Sequence, residues 1–142
     1  MNVLMLLKPK SEVEYLIDKN SVREGLEKMY KNSYAAIPVL TKDGQYVGSV
    51  SEGDFLKYII DSSFNEEKIE KRKISEIVRK EYNPAVTVGV DMETLVKRAE
   101  NQNFIPVTDD RGYFIGIVTR GTVIETFCST DNVSSPQTIV TR

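Results

Sequence analysis

The sequence predicts an α+β fold made of two copies of one β-α-β-β-α unit, and three observations carry that prediction. The string AAIPVLTKDGQYVGSVSEGD returns in altered form as NFIPVTDDRGYFIGIVTRGT. Pro38 matches Pro106, Gly48 matches Gly116 and Ser51 matches Thr119, each pair separated by the same 68 positions (106 − 38, 116 − 48, 119 − 51). An offset held over two strands and a helix start marks an internal repeat. Both copies also read through the same order of strand, helix, hairpin and helix.

In the first copy, VEYLI (Val13 to Ile17) is short, apolar and β-branched, which is a strand pattern. Asp18 and Ser21 behind it are residues that cap helices. Val22, Leu26 and Met29 then recur at helical spacing, with charged Arg23, Glu24, Glu27 and Lys28 between them as a solvated face. AIPVL and QYVGSV follow as two strands joined at TKDG, where Asp43 and Gly44 form a strong hairpin-turn signal. Ser51 opens a second helix whose apolar stripe is Phe55 and Ile59, with Leu56 beside them.

The second copy repeats this order. PAVTV reads as a strand, Met92, Val96 and Ala99 as the inner face of a helix, FIPV and YFIGIV as a hairpin, and Thr119 as the start of the last helix. Met29 to Pro38 is nine steps and Ala99 to Pro106 is seven, so the loop before the second strand is two residues shorter here. Between the copies, EEKIEKRKISEIVRK alternates charge with Ile69, Ile74 and Ile77 and reads as a connecting helix with a solvated face. The expected division is a first repeat over 5–62, the connection over 63–79, a second repeat over 80–128, and a Ser/Thr-rich tail over 129–142.

Composition narrows the function classes. A chain of 142 residues buries roughly 68 to 70% of its unfolded surface, enough for a real core. Lys plus Arg total 19 against 21 for Asp plus Glu, a formal charge of −2. That balance argues against a nucleic-acid partner, which needs a basic face to displace counterions. No apolar run approaches the roughly 18 to 20 residues of a membrane span, and MNVLMLLKPK is too short for a signal peptide. A cytoplasmic protein with no membrane partner is therefore expected. Cys128 is the one cysteine and histidine is absent, so neither a disulfide within the chain nor an imidazole triad is available, and no metal site is expected.

The repeated Pro-Val, the Asp-Gly turn, the segment GSVSEGD and the duplication itself together resemble tandem CBS domains, the cystathionine-β-synthase repeat, over about residues 5–128. The resemblance implies a three-stranded sheet with two helices in each half, the halves packed about a pseudo-twofold axis, and two clefts that take adenosine ligands. Physical reasoning points the same way, because one such sheet exposes an apolar face too small to be stable alone and stacking two copies buries both. A helix start adds free N–H groups and about half a positive charge, which suits a phosphate.

The resemblance also assigns residues. Asp54, three positions after Ser51, is expected to take the two ribose hydroxyls while Ser51 approaches ribose or phosphate; the other reading is a capping box at the helix start. At the matching position of the second half stands Thr122, so a ribose carboxylate is missing there. Instead TRGT places Arg120 beside the cap Thr119, where a guanidinium can clamp phosphate oxygens or simply stay solvated. Tyr34 is expected to stack on the base while the backbone of Ala35 and Ala36 reads the adenine edge, and a structural role for Tyr34 stands equally beside that. One site would join Tyr34, Ala35 and Ala36 to Thr119, Arg120 and Thr122; the other would join Phe104 and Ile105 to Ser51 and Asp54.

The first of these, with an aromatic residue and an arginine but no ribose carboxylate, resembles the stand-alone CBS proteins of Gram-positive bacteria that bind cyclic di-AMP. Glu12 in KPKSEV departs from that likeness, since a basic residue there would help the phosphates. The function so implied is a non-catalytic regulatory module that binds cyclic di-AMP or AMP, ADP or ATP and signals to a protein partner, with no cofactor. A ligand-free dimerisation or scaffold module is the alternative. An enzyme would need a convergent acid, base or nucleophile, and Asp54, Arg120 and Tyr34 do not supply one. Apolar Tyr58, Ile60, Ile124 and Phe127 on the helices that begin at Ser51 and Thr119 predict a homodimer through those helices.

Overall fold

The computed structural model describes residues 2–129. In chain order its strands and helices are β1 (Lys8–Pro9), β2 (Leu16–Ile17), α1 (Val22–Asn32), β3 (Ala36–Leu40), β4 (Tyr46–Ser51), α2 (Glu52–Asp61), α3 (Glu66–Lys71), β5 (Val86–Thr87), α4 (Met92–Ala99), β6 (Phe104–Thr108), β7 (Phe114–Thr119) and α5 (Arg120–Ser129). The predicted α+β class and the repeated β-α-β-β-α order are both present. The described residues form two compact units, one over 14–82 and a second made of 2–13 with 83–129. The tail expected over 129–142 lies outside the described residues from 130 onward.

The hairpins show how the repeat dictates local structure. Gly44 and Gly112 take φ of 99° and 88°, where a side chain would be strained, and each N–H closes its turn onto Thr41 or Asp109. β3 pairs antiparallel with β4, and β6 with β7, with a register shift at the same place in both, between Val39 and Leu40 and between Val107 and Thr108. Pro38 and Pro106 lie on central strands, where a missing N–H would normally be costly. Here β2 covers only Val39 and Leu40, and β5 only Val107 and Thr108, so no ladder bond to those neighbours is asked of either proline.

Each unit has its own core. In the first, Leu16, Val22, Met29, Ile37, Val39, Val50, Phe55 and Ile74 are buried together. In the second, Val86, Leu95, Ala99, Ile105, Val107, Val118 and Val123 gather with Val3 from the N-terminal segment. Helix starts follow from their caps: Ser21 forms a capping box with Glu24, and the Asp91 carboxylate accepts from the Thr94 N–H at 2.7 Å.

Four details differ from the sequence reading. The strand expected over Val13 to Ile17 shortens to Leu16–Ile17. The inner face of α4 is Leu95 and Ala99, while Val96 is 37% exposed. Leu56 points outward at 58% exposure. The connection holds a helix of six residues, Glu66–Lys71, then a 3-10 turn at Ile74–Glu76, rather than one continuous helix. The alternating charges of that stretch do not extend α3 because Ile74 is drawn into the first core and its N–H is bonded to the Asn20 carbonyl.

The two sheets also take edge partners that periodicity does not reveal. In the second unit β1 pairs antiparallel with β7, Lys8 opposite Ile117 and Pro9 opposite Gly116. In the first unit Arg79 bridges Ser49, with N–H···O bonds of 3.2 Å in both directions. Ser49 and Ile117 are 68 apart. Lys8 and Arg79 therefore hold equivalent edge positions in the two repeats.

Candidate functional site

The expected site residues gather at two strand-helix junctions, one in each unit. In the first, β4 runs directly into α2 through Ser51. The Ser51 hydroxyl accepts from the Asp54 N–H at 3.2 Å and the Asp54 carboxylate accepts from the Ser51 N–H at 2.8 Å, so the capping box is formed. Ala36 pairs with Ser51 across the hairpin, and the Ala35 carbonyl accepts from the Glu52 N–H at 2.9 Å. The adenine-reading residues expected from the sequence thus flank the start of α2 within their own repeat.

Tyr34 arrives there because Ser33 closes α1 in the left-handed conformation, φ 55°, and the Tyr34 N–H returns to the Met29 carbonyl. Its ring is half-buried against the first core. Burial, and then the charge of Glu14, push its hydroxyl pKa up, so the phenol stays neutral at physiological pH.

Arg79 is a member of this junction that local pattern does not find. Its Nε lies 3.0 Å from Asp54 Oδ1 and 3.1 Å from Oδ2, and its guanidinium sits 4.1 Å above the Tyr82 ring. The Asp54 side chain is only 17% exposed and that of Arg79 is 45% exposed. Burial raises the Tyr82 hydroxyl pKa while the Arg79 charge opposes the rise and Asp54 adds to it. Beneath the pair, the Tyr46 hydroxyl is 2.7 Å from Ser49 Oγ, and burial holds it well above the usual phenol range.

The second junction repeats the geometry with other chemistry. Thr119 accepts from the Thr122 N–H at 3.1 Å and its hydroxyl donates to Thr122 Oγ1 at 2.9 Å, leaving no carboxylate at this helix start. The Arg120 N–H donates to the Asn103 carbonyl at 2.9 Å, the counterpart of Glu52 on Ala35 at the same offset of 68. Asn103 is thus the position matching Ala35, a residue the sequence reading passes over for Phe104 and Ile105 although the constant offset is the signal that points to it. Phe104 and Ile105 are buried, and the Ile105 side chain belongs wholly to the second core.

The Arg120 side chain is not merely solvated. Its Nε donates to the Ala99 carbonyl at 2.8 Å, at the C-terminal end of α4 where a cation is favoured. It borders a largely apolar groove of about 330 Å³ between α4 and α5, lined also by Val96, Ala99, Val123, Ile124, Phe127 and the acidic Glu100. Among the described residues the bond to Ala99 uses one of the five guanidinium donors.

Among the described residues no group of three or more Asp, Glu, Cys or His side chains is arranged to hold a metal ion. No described helix is long and apolar enough to cross a membrane.

Two copies of one α+β unit, each closing its hairpin into a helix capped by Ser or Thr, define the class as a tandem-repeat module. The CBS domain family model matches residues 9–61 and 74–128, and the chain belongs to the CBS domain family. It is 29% identical over 156 aligned positions to an uncharacterized protein of Methanocaldococcus jannaschii, covering 86% of this chain and 90% of that one. The solved structure of the CbpB protein of Listeria monocytogenes in complex with c-di-AMP is similar, with a TM-score of 0.80 at 22% identity over 90% of this chain and 96% of that one. So is CBSX2 in complex with AMP, a protein of Arabidopsis thaliana, with a TM-score of 0.73 at 21% identity over 92% and 98% of the two chains.

Proposed function

We propose that this CBS pair is a non-catalytic regulatory module that binds an adenine nucleotide, with cyclic di-AMP the ligand its residues suit best, and passes the bound state to a protein partner. The observation that carries the reading is the second junction. Thr119 and Thr122 bring hydroxyls to a ten-residue helix start whose first turn carries no acidic residue, and Arg120 stands beside them, its Nε held by the Ala99 carbonyl. Such a start favours phosphate oxygens over a ribose diol. Cyclic di-AMP has its ribose 3′ and 5′ oxygens tied into phosphodiesters, so it offers phosphates and no vicinal diol. The c-di-AMP complex of CbpB and the AMP complex of CBSX2 support a ligand of this class. Tyr34 with the backbone of Ala35 and Ala36 is our proposed base-recognition element, Ser51, Phe104 and the backbone of Ile105 complete the proposed contacts, and Asp54 shapes them through its contact with Arg79.

A homodimer belongs to the same reading. On α2, Leu56 and Ile60 are 58% and 54% exposed at i, i+4 spacing and form one apolar stripe. Tyr58, expected to share that face, instead packs on its own core and its hydroxyl donates to the Lys68 carbonyl at 3.3 Å.

Thermal melts with AMP, ATP and cyclic di-AMP test the function. A ligand at 100 times its Kd stabilises the fold by about 2.7 kcal/mol, so cyclic di-AMP should raise Tm by several degrees and more than the mononucleotides do. No shift with any of the three would favour the scaffold alternative, and turnover of any nucleotide would contradict the non-catalytic assignment.

A further inference from the structure

We infer that Arg79 is a specificity-determining residue: by occupying the Asp54 carboxylate it excludes ligands that need that carboxylate for a free ribose diol. The inference rests on the proposed adenine-nucleotide function and deepens it, since it says which sugar chemistry the first repeat refuses.

A carboxylate holds a vicinal diol by accepting one hydroxyl on each oxygen, and it has about four acceptor positions in all. In Asp54, Oδ2 already accepts from the Ser51 N–H at 2.8 Å and from Arg79 Nε at 3.1 Å, and Oδ1 lies 3.0 Å from the same Nε. Both oxygens are engaged and the side chain is 17% exposed. Oδ2 has both of its positions filled, so a diol can be accepted on both oxygens only if Arg79 withdraws.

The position of Arg79 is fixed by its main chain, and its guanidinium is held by a ring. The Arg79 main chain is held by two bonds to Ser49. Its carbonyl lies so close over Gly48 that a β-carbon there would collide with it. Its guanidinium rests on the Tyr82 ring. The arginine is therefore placed by the backbone as well as by attraction to Asp54.

The other repeat shows that this is more than charge neutralisation. At the equivalent edge position stands Lys8, opposite Ile117, and at the position equivalent to Asp54 stands Thr122. The basic residue persists where the carboxylate is lost. At the position of Asp54 and Thr122, neither repeat thus presents an unengaged carboxylate, one by substitution and the other by the Arg79 contact.

The test uses the full chain and two probes without phosphate, so that loss of the arginine charge cannot act through a phosphate contact. Adenosine carries the diol and 2′,3′-dideoxyadenosine lacks it. Calorimetric or NMR titration should show Arg79→Gln binding adenosine at least tenfold more tightly than the unmodified chain. No gain is expected with the dideoxy probe, nor in Arg79→Gln combined with Asp54→Asn. Arg79→Lys, which keeps the charge but lacks Nε, should move the same way by a smaller factor and serves if the glutamine variant folds poorly by circular dichroism. Adenosine affinity in both variants no higher than in the unmodified chain, including none detectable in any of them, overturns the inference, as does an equal gain with the dideoxy probe. Cyclic di-AMP titrated into the unmodified chain judges the functional reading separately: failure there with a gain of adenosine binding in Arg79→Gln contradicts that reading and leaves the role of Arg79 standing.

Discussion

Gly48 lies directly beneath the Arg79 carbonyl, and a β-carbon at that position would run into the main chain of Arg79 and Lys80. In the other repeat Gly116 lies in the same way beneath the Lys8 carbonyl, with φ of 155°. Each glycine lets a segment distant in sequence lie against its sheet beside the helix start, which is how Arg79 comes to stand next to Asp54.

Alanine at either glycine forces backbone apart. Gly48→Ala and Gly116→Ala should each lower stability by about 1 to 3 kcal/mol, with Gly116→Ala the larger because its φ adds strain. Gly53 is the control. Its nearest neighbour would be Ser51 Oγ at 3.6 Å, an ordinary contact on an exposed helix position, so Gly53→Ala should stabilise by about 0.5 to 1 kcal/mol. Urea midpoints of the three variants check the ranking.

The cap at Asp91 predicts a pH effect. The Thr94 N–H, and then the Thr94 side chain, hold the Asp91 carboxyl below the usual aspartate range. A depressed carboxyl stabilises the fold above its unfolded value and loses that contribution as pH falls through the folded value. Asp91→Asn keeps a capping oxygen without the charge. Its Tm should fall below that of the unmodified chain at pH 7, and the gap should close as pH drops through and below the usual aspartate range; a gap independent of pH would count against this assignment.

Assembly through α2 is tested by placing charges on its exposed stripe. Leu56→Glu with Ile60→Glu should convert a dimer to a monomer at micromolar concentration while leaving the melting of the core near its original position, since both side chains are more than half exposed. Light scattering reads the mass directly, and a monomer in the unmodified chain would contradict the dimer.

What could be read from the sequence follows the range of the interactions involved. The hairpins AIPVL with YVGSV and FIPV with YFIGIV were legible because turn glycines, alternation and caps all act within a few residues, and the constant offset doubled every signal. Leu95 replaced Val96 on the inner face of α4 because two apolar neighbours leave the helix phase ambiguous by one step. The pairing of Lys8 and Pro9 with β7 could not be read, since two residues carry no period and their partners lie over one hundred positions away. The same holds for Arg79, whose contact with Asp54 spans 25 positions. Asp54 was correctly placed at a helix start, but that its oxygens are engaged by an arginine from beyond the helix follows only from the fold.

The most direct test of the central claim is calorimetric titration of cyclic di-AMP into the purified chain and into Arg120→Ala. The account predicts saturable binding, weakened in the variant by about 1.5 to 3 kcal/mol, or roughly 10- to 150-fold, because the guanidinium beside Thr119 is lost. Binding of cyclic di-AMP with the same affinity in both proteins, or no binding in the unmodified chain, would contradict it.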